Sequence, residues 1–171
     1  MPETAQQYTQ RILGHVEGKK PLAVQRSTPK KLAGLIARMD RKRLGKRPEV
    51  DKWSIAEILA HLADTELVIS WRLRQILCSN GAPIQAYDQN AWAATFKYGR
   101  RDPKGALNTF RLLRENNLTL LKTVSKELWD NYGMHEERGQ ESIGRIVEMV
   151  AGHDLNHIQQ VERIAKAGRK R

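Results

Sequence analysis

The stretch WSIAEILAHLADTELVISWRLRQILCSNG, residues 53–81, carries the clearest helical pattern in the chain. Ser54 and Glu57 match the S-x-x-E capping box, in which two side chains satisfy free backbone N–H groups at a helix start. Asn80 and Gly81 supply a stop signal at the other end. Because apolar residues cover much of its circumference, the pattern predicts a helix at the centre of a helical bundle.

A second helix is predicted over STPKKLAGLIARM, residues 27–39. Ser27 or Thr28 can cap its start, and Pro29 suits the first turn, where the missing N–H costs no hydrogen bond. The apolar residues recur at helical spacing, and Gly45 breaks the chain beyond them.

Two more long helices are predicted towards the C-terminus. The first opens at Asp102 and Pro103, which suit the capping position and the first turn. Its core candidates share helical spacing: Leu107, Phe110, Leu113, Leu118 and Leu121. The second runs from about Ser142 to Ala167 and stops at Gly168.

Shorter helices are predicted before Gly18 and over DQNAWAATFKY, residues 88–98. No long stretch alternates in the manner of a strand. The chain is therefore predicted to be all-α, a four-helix bundle with a short extra N-terminal helix. The predicted divisions are an N-terminal helix and lead-in at 1–26, the bundle at 27–167 and a basic tail at 168–171.

Composition limits the classes of function. A chain of 171 residues with 40% hydrophobic residues fits one globular domain. No apolar run approaches the roughly 20 residues of a membrane span. The first residues lack a signal-peptide pattern, and a single cysteine cannot form an internal disulfide, so a cytoplasmic location is expected.

The net charge of +11 raises the question of a nucleic-acid partner. Much of this charge lies in residues 30–47 and in the tail at 168–171. Aromatic residues, 6% of the chain, do not alternate with these basic runs, so stacking on bases has little support. A solvated basic surface is the favoured interpretation, and a nucleic-acid partner is not expected.

The segment HDLNHIQQ, residues 153–160, places two histidines in the last helix. At 100° per residue, His153 and His157 lie about 40° apart. Apolar residues surround them on the same side: Ile143, Ile146, Met149, Val150, Val161 and Ile164. Buried imidazoles need polar partners. The i, i+4 spacing lets both rings reach one metal ion, although hydrogen-bonded core histidines would give the same pattern.

A third histidine favours the metal. His61 lies in EILAHLADTE on the central helix, and bundle metal sites are built from inward side chains on facing helices. Three histidines leave positions open for water or substrate, as catalytic sites require, whereas a structural zinc site is closed by four ligands. Cys78 lies too far along the helix from His61 to close such a site.

Two carboxylates flank His61 in the sequence. Glu57 and Asp64 are predicted to accept a hydrogen bond from the ring nitrogen of His61 that does not face the metal. The alternatives are the capping box for Glu57 and an ordinary surface charge for Asp64.

Three further residues are candidates for contact with a substrate. Arg72 lies about 20° from His61 on the helical wheel and could hold a carboxylate or phosphate, or form a salt bridge at the bundle end. Trp92 could form a wall of the pocket or pack in the core. His135, in GMHEERG, is a candidate acid or base, with an exposed surface histidine as the alternative.

The combination of WSIAEILAHLADTE with HDLNHIQQ resembles the DinB-like superfamily, also called DinB/YfiT-like metalloenzymes. The segments TPKKLAGLI, DQNAWAA, FRLLRENNLTLL and HEERGQESI follow in the order and approximate spacing of that family. The resemblance covers about residues 27–165. It implies an up-down-down-up four-helix bundle that forms homodimers.

The resemblance also implies a divalent metal, such as zinc, nickel or iron, held by three histidines that match His61, His153 and His157. Family members of known activity use low-molecular-weight thiols in transfer and isomerisation, and many others are described as hydrolases. The leading hypothesis is therefore a metal-dependent enzyme in which a Lewis acid activates water or a thiol towards a small-molecule substrate. A non-catalytic metal-binding bundle is the alternative, and a basic nucleic-acid-binding protein is less favoured.

Overall fold

The computed structural model describes residues 3–167. Its α-helices are α1 Ala5–Val16, α2 Pro21–Ile36, α3 Arg41–Gly45, α4 Ile55–Cys78, α5 Gln89–Thr95, α6 Pro103–Thr123 and α7 Ile143–Ala167. Short 3-10 turns span Tyr98–Arg100 and Lys126–Asp130. The strands are β1 Ala82–Ile84, β2 Tyr132–His135 and β3 Gly139–Ser142. The predicted basic tail, 168–171, lies outside the described residues.

Helices α2, α4, α6 and α7 form a four-helix bundle, which confirms the predicted fold class. The principal packing pairs are α4 with α6, α2 with α7, α2 with α6, and α4 with α7, so α2 and α4 occupy diagonal positions. No helix in residues 3–167 has both the length and the apolar character needed to cross a membrane.

The directions of the helices follow from their side-chain contacts. Glu66 of α4 meets Arg114 of α6, and Arg74 further along α4 meets Asn116 further along α6, so these two helices are parallel. In contrast, His61 near the start of α4 lies against the C-terminal half of α7, so α4 and α7 are antiparallel. Since α2 is parallel to α7, the order is up-down-down-up.

The ends of α4 agree with the sequence signals. The Ser54 backbone N–H donates to Glu57 at 2.8 Å, and the Glu57 N–H donates to the Ser54 hydroxyl at 3.3 Å, which completes the capping box. The helix ends at Cys78, and Gly81 then adopts φ +81°, a left-handed conformation that favours glycine.

The start of α2 differs from the prediction. The helix begins at Pro21, in its first turn, so Pro29 lies inside the helix. An internal proline has no N–H for the carbonyl four residues earlier, which here belongs to Gln25. That buried carbonyl accepts from Arg114 of α6 at 3.1 Å. The hydrogen bond lost to Pro29 is therefore replaced by a tertiary one, and the helix continues.

The connections carry a small sheet that the sequence pattern does not predict. Its order is β1-β2-β3, with β1 parallel to β2 and β2 antiparallel to β3. Strands of three or four residues are too short to leave a period-two pattern. The sheet joins the C-terminal end of α4 to the N-terminal end of α7, on one side of the site.

The N-terminal helix α1 packs directly on α7. A β carbon placed on Gly152 would overlap the backbone oxygen of Ile12. Gly152 therefore allows the two backbones to touch, and this contact positions α1 next to the residue that follows, His153.

Candidate metal centre

Three histidines converge between α4 and α7. The Nε2 atom of His153 lies 3.0 Å from Nε2 of His61 and 3.1 Å from Nε2 of His157. The three ligand atoms all lie within 4.8 Å of one another. Two nitrogens that bind one ion at about 2.0–2.1 Å, with about 90–110° between the bonds, lie roughly 3.0–3.4 Å apart. The two separations measured from His153 therefore fall in the range expected for ligands of one cation.

The surroundings keep all three rings neutral. Burial, together with the nearby His157, holds the pKa of His61 well below its ordinary 6.5. Burial and the other two histidines do the same for His153, and burial lowers the pKa of His157 to about 4. The neutral imidazole is the form that binds a metal, so the site is ready for a cation at neutral pH.

One hydrogen bond orients a ring of the cluster. Nδ1 of His157 donates to the side-chain oxygen of Gln160 at 2.9 Å, which leaves the lone pair of its Nε2 directed into the cluster. Sequence reasoning missed Gln160, although its i+3 spacing from His157 within HDLNHIQQ is a usable signal. The hydroxyl of Thr65 lies beside the His61 ring and bonds the hydroxyl of Tyr87 at 2.9 Å.

The two carboxylates predicted to orient His61 have other partners. Glu57 accepts a hydrogen bond from Ser54 in the capping box. It also accepts one from the Nε of Arg47, at 3.0 Å. Asp64 forms a salt bridge with Arg101 at 2.7 Å. Neither carboxylate has a described hydrogen bond to a histidine ring, because α4 turns Glu57 towards its own N-terminus and Asp64 towards the segment before α6.

Two cavities flank the histidines, and His153 borders both. The first, of about 710 Å³, is called the Arg72 cavity and is also lined by Tyr8, His61, Thr65 and Arg72. The second, of about 660 Å³, is called the Trp53 cavity. Its lining includes the following residues: Tyr8, Trp53, His157, Gln160 and Arg163. Molecules can therefore approach the histidines from two directions.

Aromatic residues enclose the cluster. The centroid of the Trp53 ring lies 5.0 Å from that of His61. Tyr8 of α1 borders both cavities. Its role was missed because nothing in the sequence predicts where α1 docks.

The three predicted substrate contacts lie in different places. Arg72 is buried and lines the Arg72 cavity. Trp92 lies outside the linings of both cavities and stacks on Tyr87, with ring centroids 4.5 Å apart. His135 is 4% exposed in β2, where its Nδ1 accepts from the Glu137 N–H at 3.1 Å. His135 is therefore neither a surface residue nor a lining residue of either cavity.

A second buried polar cluster lies on an adjacent face of α7. The Arg114 guanidinium donates to both oxygens of Glu66, at 2.9 and 2.8 Å, and to both oxygens of Asp154. Asn117 also donates to Glu66, at 2.8 Å. Burial alone would lower the pKa of Arg114, but Asp154 and Glu66 raise it, so the guanidinium stays charged. We call these four side chains the Arg114 cluster.

The chain is similar to known proteins in sequence. A model of the DinB superfamily matches residues 26–161. "Putative metal-dependent hydrolase OB0782" of Oceanobacillus iheyensis is 22% identical over 138 residues, which cover 81% of this chain and 80% of that protein. "Putative metal-dependent hydrolase YfiT" of Bacillus subtilis is 21% identical over 148 residues, which cover 86% and 83%.

A solved structure gives the same result for the fold. YfiT from Bacillus subtilis, described as "a probable metal-dependent hydrolase with an unusual four-helix bundle topology", matches with a TM-score of 0.80 at 20% identity. The match covers 86% of this chain and 85% of that chain. The family resemblance carried by the sequence motifs is therefore confirmed, and the chain belongs to the DinB superfamily.

Proposed function

We propose that this protein is a metal-dependent hydrolase in which His61, His153 and His157 hold one divalent cation through their Nε2 atoms. The observation that carries the proposal is the convergence of three neutral imidazoles at separations of 3.0 and 3.1 Å beside two open cavities. The names of the relatives support hydrolysis as the reaction.

The donor set suits zinc, nickel or iron, since all three accept imidazole nitrogen. When bound, such a cation supplies Lewis acidity towards water or a thiol. Within residues 3–167, no fourth histidine, cysteine or carboxylate joins the cluster, and Cys78 is exposed elsewhere. Coordination positions therefore stay available to small molecules, as catalysis requires.

The remaining residues of the site prepare it for a substrate. Gln160 fixes the orientation of the His157 ring, and Trp53 shields His61 from water. Cavities of about 710 and 660 Å³ have the size of small-molecule sites. With a low-molecular-weight thiol in place of water, the same site would serve a thiol transferase, the alternative that the family resemblance implies. The homodimer and the cytoplasmic location stay predictions.

The first test measures metal directly. Protein purified without a nickel column is analysed for bound metal, beside His61→Ala and the control His15→Ala, whose ring lies outside the cluster. We expect one ion per chain in the wild type and the control, and none in His61→Ala. At a free metal concentration of one hundred times Kd, the ion should add about 2.7 kcal/mol to the free energy of unfolding.

The proposal would be contradicted if the wild type bound no zinc, nickel or iron and if none of the three metals changed its Tm. Catalysis further requires an exchangeable position. The visible spectrum of the cobalt-loaded protein should therefore change when azide or a thiol is added. An unchanged spectrum would favour the non-catalytic alternative. Salt-sensitive DNA binding that survives His61→Ala would favour the nucleic-acid alternative.

A further inference from the structure

Arg72 is a buried cation without an acidic partner. Its side chain is 7% exposed, and one Nη–H donates to the backbone oxygen of Gln85 at 2.6 Å. Among residues 3–167, no carboxylate lies within salt-bridge distance of its guanidinium. Buried charges in proteins are normally paired, because desolvation without a counter-charge is costly. Arg72 also lines the Arg72 cavity.

The nearby charges leave a local excess of positive charge. Arg138 lines the same cavity and donates to Glu141 at 2.7 and 2.9 Å, so the carboxylate of Glu141 is already engaged. Burial and the nearby Arg138 lower the pKa of Arg72, and Glu141 opposes them only in part. Two cations therefore share one anion at this end of the cavity.

The other acidic residues of the lining do not neutralise Arg72. Glu3 is exposed and forms a salt bridge with Arg11 at 2.7 Å. Asp88 is exposed and accepts from the backbone at the start of α5. Glu137 is exposed at the rim. These three residues are in contact with solvent, whereas Arg72 is buried.

The cavity has three zones along α4. His61 and Arg72 lie on the same face, eleven residues apart, which is about 16 Å along the axis. Both side chains lean towards the N-terminus, and the longer arginine leans further, so the guanidinium lies roughly 13 Å from the His61 ring. Apolar side chains line the space between the two ends: Val68, Ile69, Met149 and Val150.

We propose that the Arg72 cavity selects an elongated small molecule that places its reacting group at the three histidines and an anionic end group, such as a carboxylate, at Arg72. The histidine end of this proposal rests on the proposed metal centre. The Arg72 end names the class of substrate, an anion with an apolar spacer about 8–10 Å long.

A pair of matched thiols tests the proposal. Isothermal titration calorimetry on the zinc-loaded full chain compares 6-mercaptohexanoate with 6-mercaptohexan-1-ol, which share the zinc-binding sulfur and the spacer. We expect the acid to bind the wild type at least tenfold more tightly than the alcohol. Arg72→Met should reduce this ratio to less than twofold. Arg74→Met, the control, removes an exposed arginine from the same helix and should keep the ratio.

A second series needs no variant. 4-Mercaptobutanoate and 4-mercaptobutan-1-ol are too short to reach from the metal to Arg72, and this acid does not form a five- or six-membered chelate ring with zinc. Their affinities for the wild type should therefore differ by less than twofold, and the preference should appear only with the longer spacer. If the longer acid binds no better than its alcohol, or if Arg72→Met keeps the preference, the claim that Arg72 binds an anionic end group is disproved. If zinc-loaded protein binds neither alcohol nor acid, the open metal centre fails, and this inference fails with it.

Discussion

Two largely buried polar clusters lie on adjacent faces of α7, and consecutive residues supply them. His153 joins the histidine cluster, whereas Asp154 joins the Arg114 cluster. In the Arg114 cluster the charged groups bind one another, and the guanidinium also donates to the Gln25 carbonyl. In the histidine cluster, the Nε2 atoms of the three rings face one another. The protein does not supply a hydrogen-bond donor for each of these nitrogens.

This difference separates a structural cluster from a ligand site. Both clusters are buried, so burial alone does not distinguish them. The Arg114 cluster meets its own hydrogen-bonding needs and joins α4, α6 and α7. The histidine cluster needs a cation to accept the lone pairs of its nitrogens, and that cation must come from solution.

The largest effect is expected from a substitution that breaks the Arg114 cluster. Arg114→Met leaves Glu66 and Asp154 buried without a cation, and we expect a loss of about 3–5 kcal/mol in the free energy of unfolding, measured with urea. The control Arg111→Met removes an exposed arginine that pairs with Glu115, and it should cost less than about 0.5 kcal/mol. A loss below about 1 kcal/mol for Arg114→Met would mean that the cluster does not hold the bundle together.

The histidine cluster should make the stability of the metal-free protein sensitive to acid. His157 takes up a proton near its ordinary pKa of 6.5 when unfolded, but only near pH 4 when folded. The unfolded state therefore binds more protons between these values, and stability is lost as pH falls from 6.5 towards 4. The slope is up to about 1.4 kcal/mol per pH unit for each such histidine.

Urea unfolding of the metal-free protein at a series of pH values measures this slope. The variant His157→Asn, which cannot take up the proton, should show a shallower decline than the wild type. Equal slopes for the two proteins would show that His157 is accessible to protons in the folded state.

The backbone contact between α1 and α7 should tolerate no added atom. In Gly152→Ala the new β carbon overlaps the Ile12 carbonyl, so we expect a loss of about 1–3 kcal/mol. The control Gly144→Ala lies in the same helix, where a β carbon would meet only the Ser142 hydroxyl at 3.7 Å. This control should be neutral or slightly stabilising in thermal unfolding. Equal Tm values for the two variants would contradict the close contact.

The smallest expected effect concerns the hydrogen bond that orients His157. Gln160→Ala should weaken zinc binding about tenfold, or about 1.4 kcal/mol, without changing the stability of the metal-free protein. Gln159→Ala, an exposed neighbour, is the matched control. Competition with a chromogenic chelator measures both affinities. Unchanged affinity in Gln160→Ala would show that packing alone holds the ring.

The sequence predicted features that depend on local pattern. The capping box fixed the start of α4, and helical spacing placed His61, His153 and His157 on inward faces. The start of α2 was predicted six residues late, because the effect of Pro29 is offset by Arg114 from another helix. No local pattern reveals that compensation.

The local sequence pattern also did not predict which residues pair with the buried charges. Glu66 and Arg114 are 48 positions apart, and their pairing follows only from the parallel packing of α4 and α6. The same holds for Glu57 and Asp64, whose nearness to His61 in sequence suggested a contact that helix geometry directs elsewhere. The helical wheel put Arg72 on the same face as His61, but only the tertiary structure shows that Arg72 lacks an acidic partner among the described residues.

The contact at Gly152 also has a consequence for the order of assembly. Helix α1 packs chiefly on α7 and lies outside the four-helix bundle, so it can leave while α2, α4, α6 and α7 stay packed on one another. We therefore expect α1 to dock last and to detach most readily, with amide hydrogens that exchange sooner than those of α4. Since Tyr8 of α1 borders both cavities, a cation can reach the histidines before this final step of folding narrows the entrance.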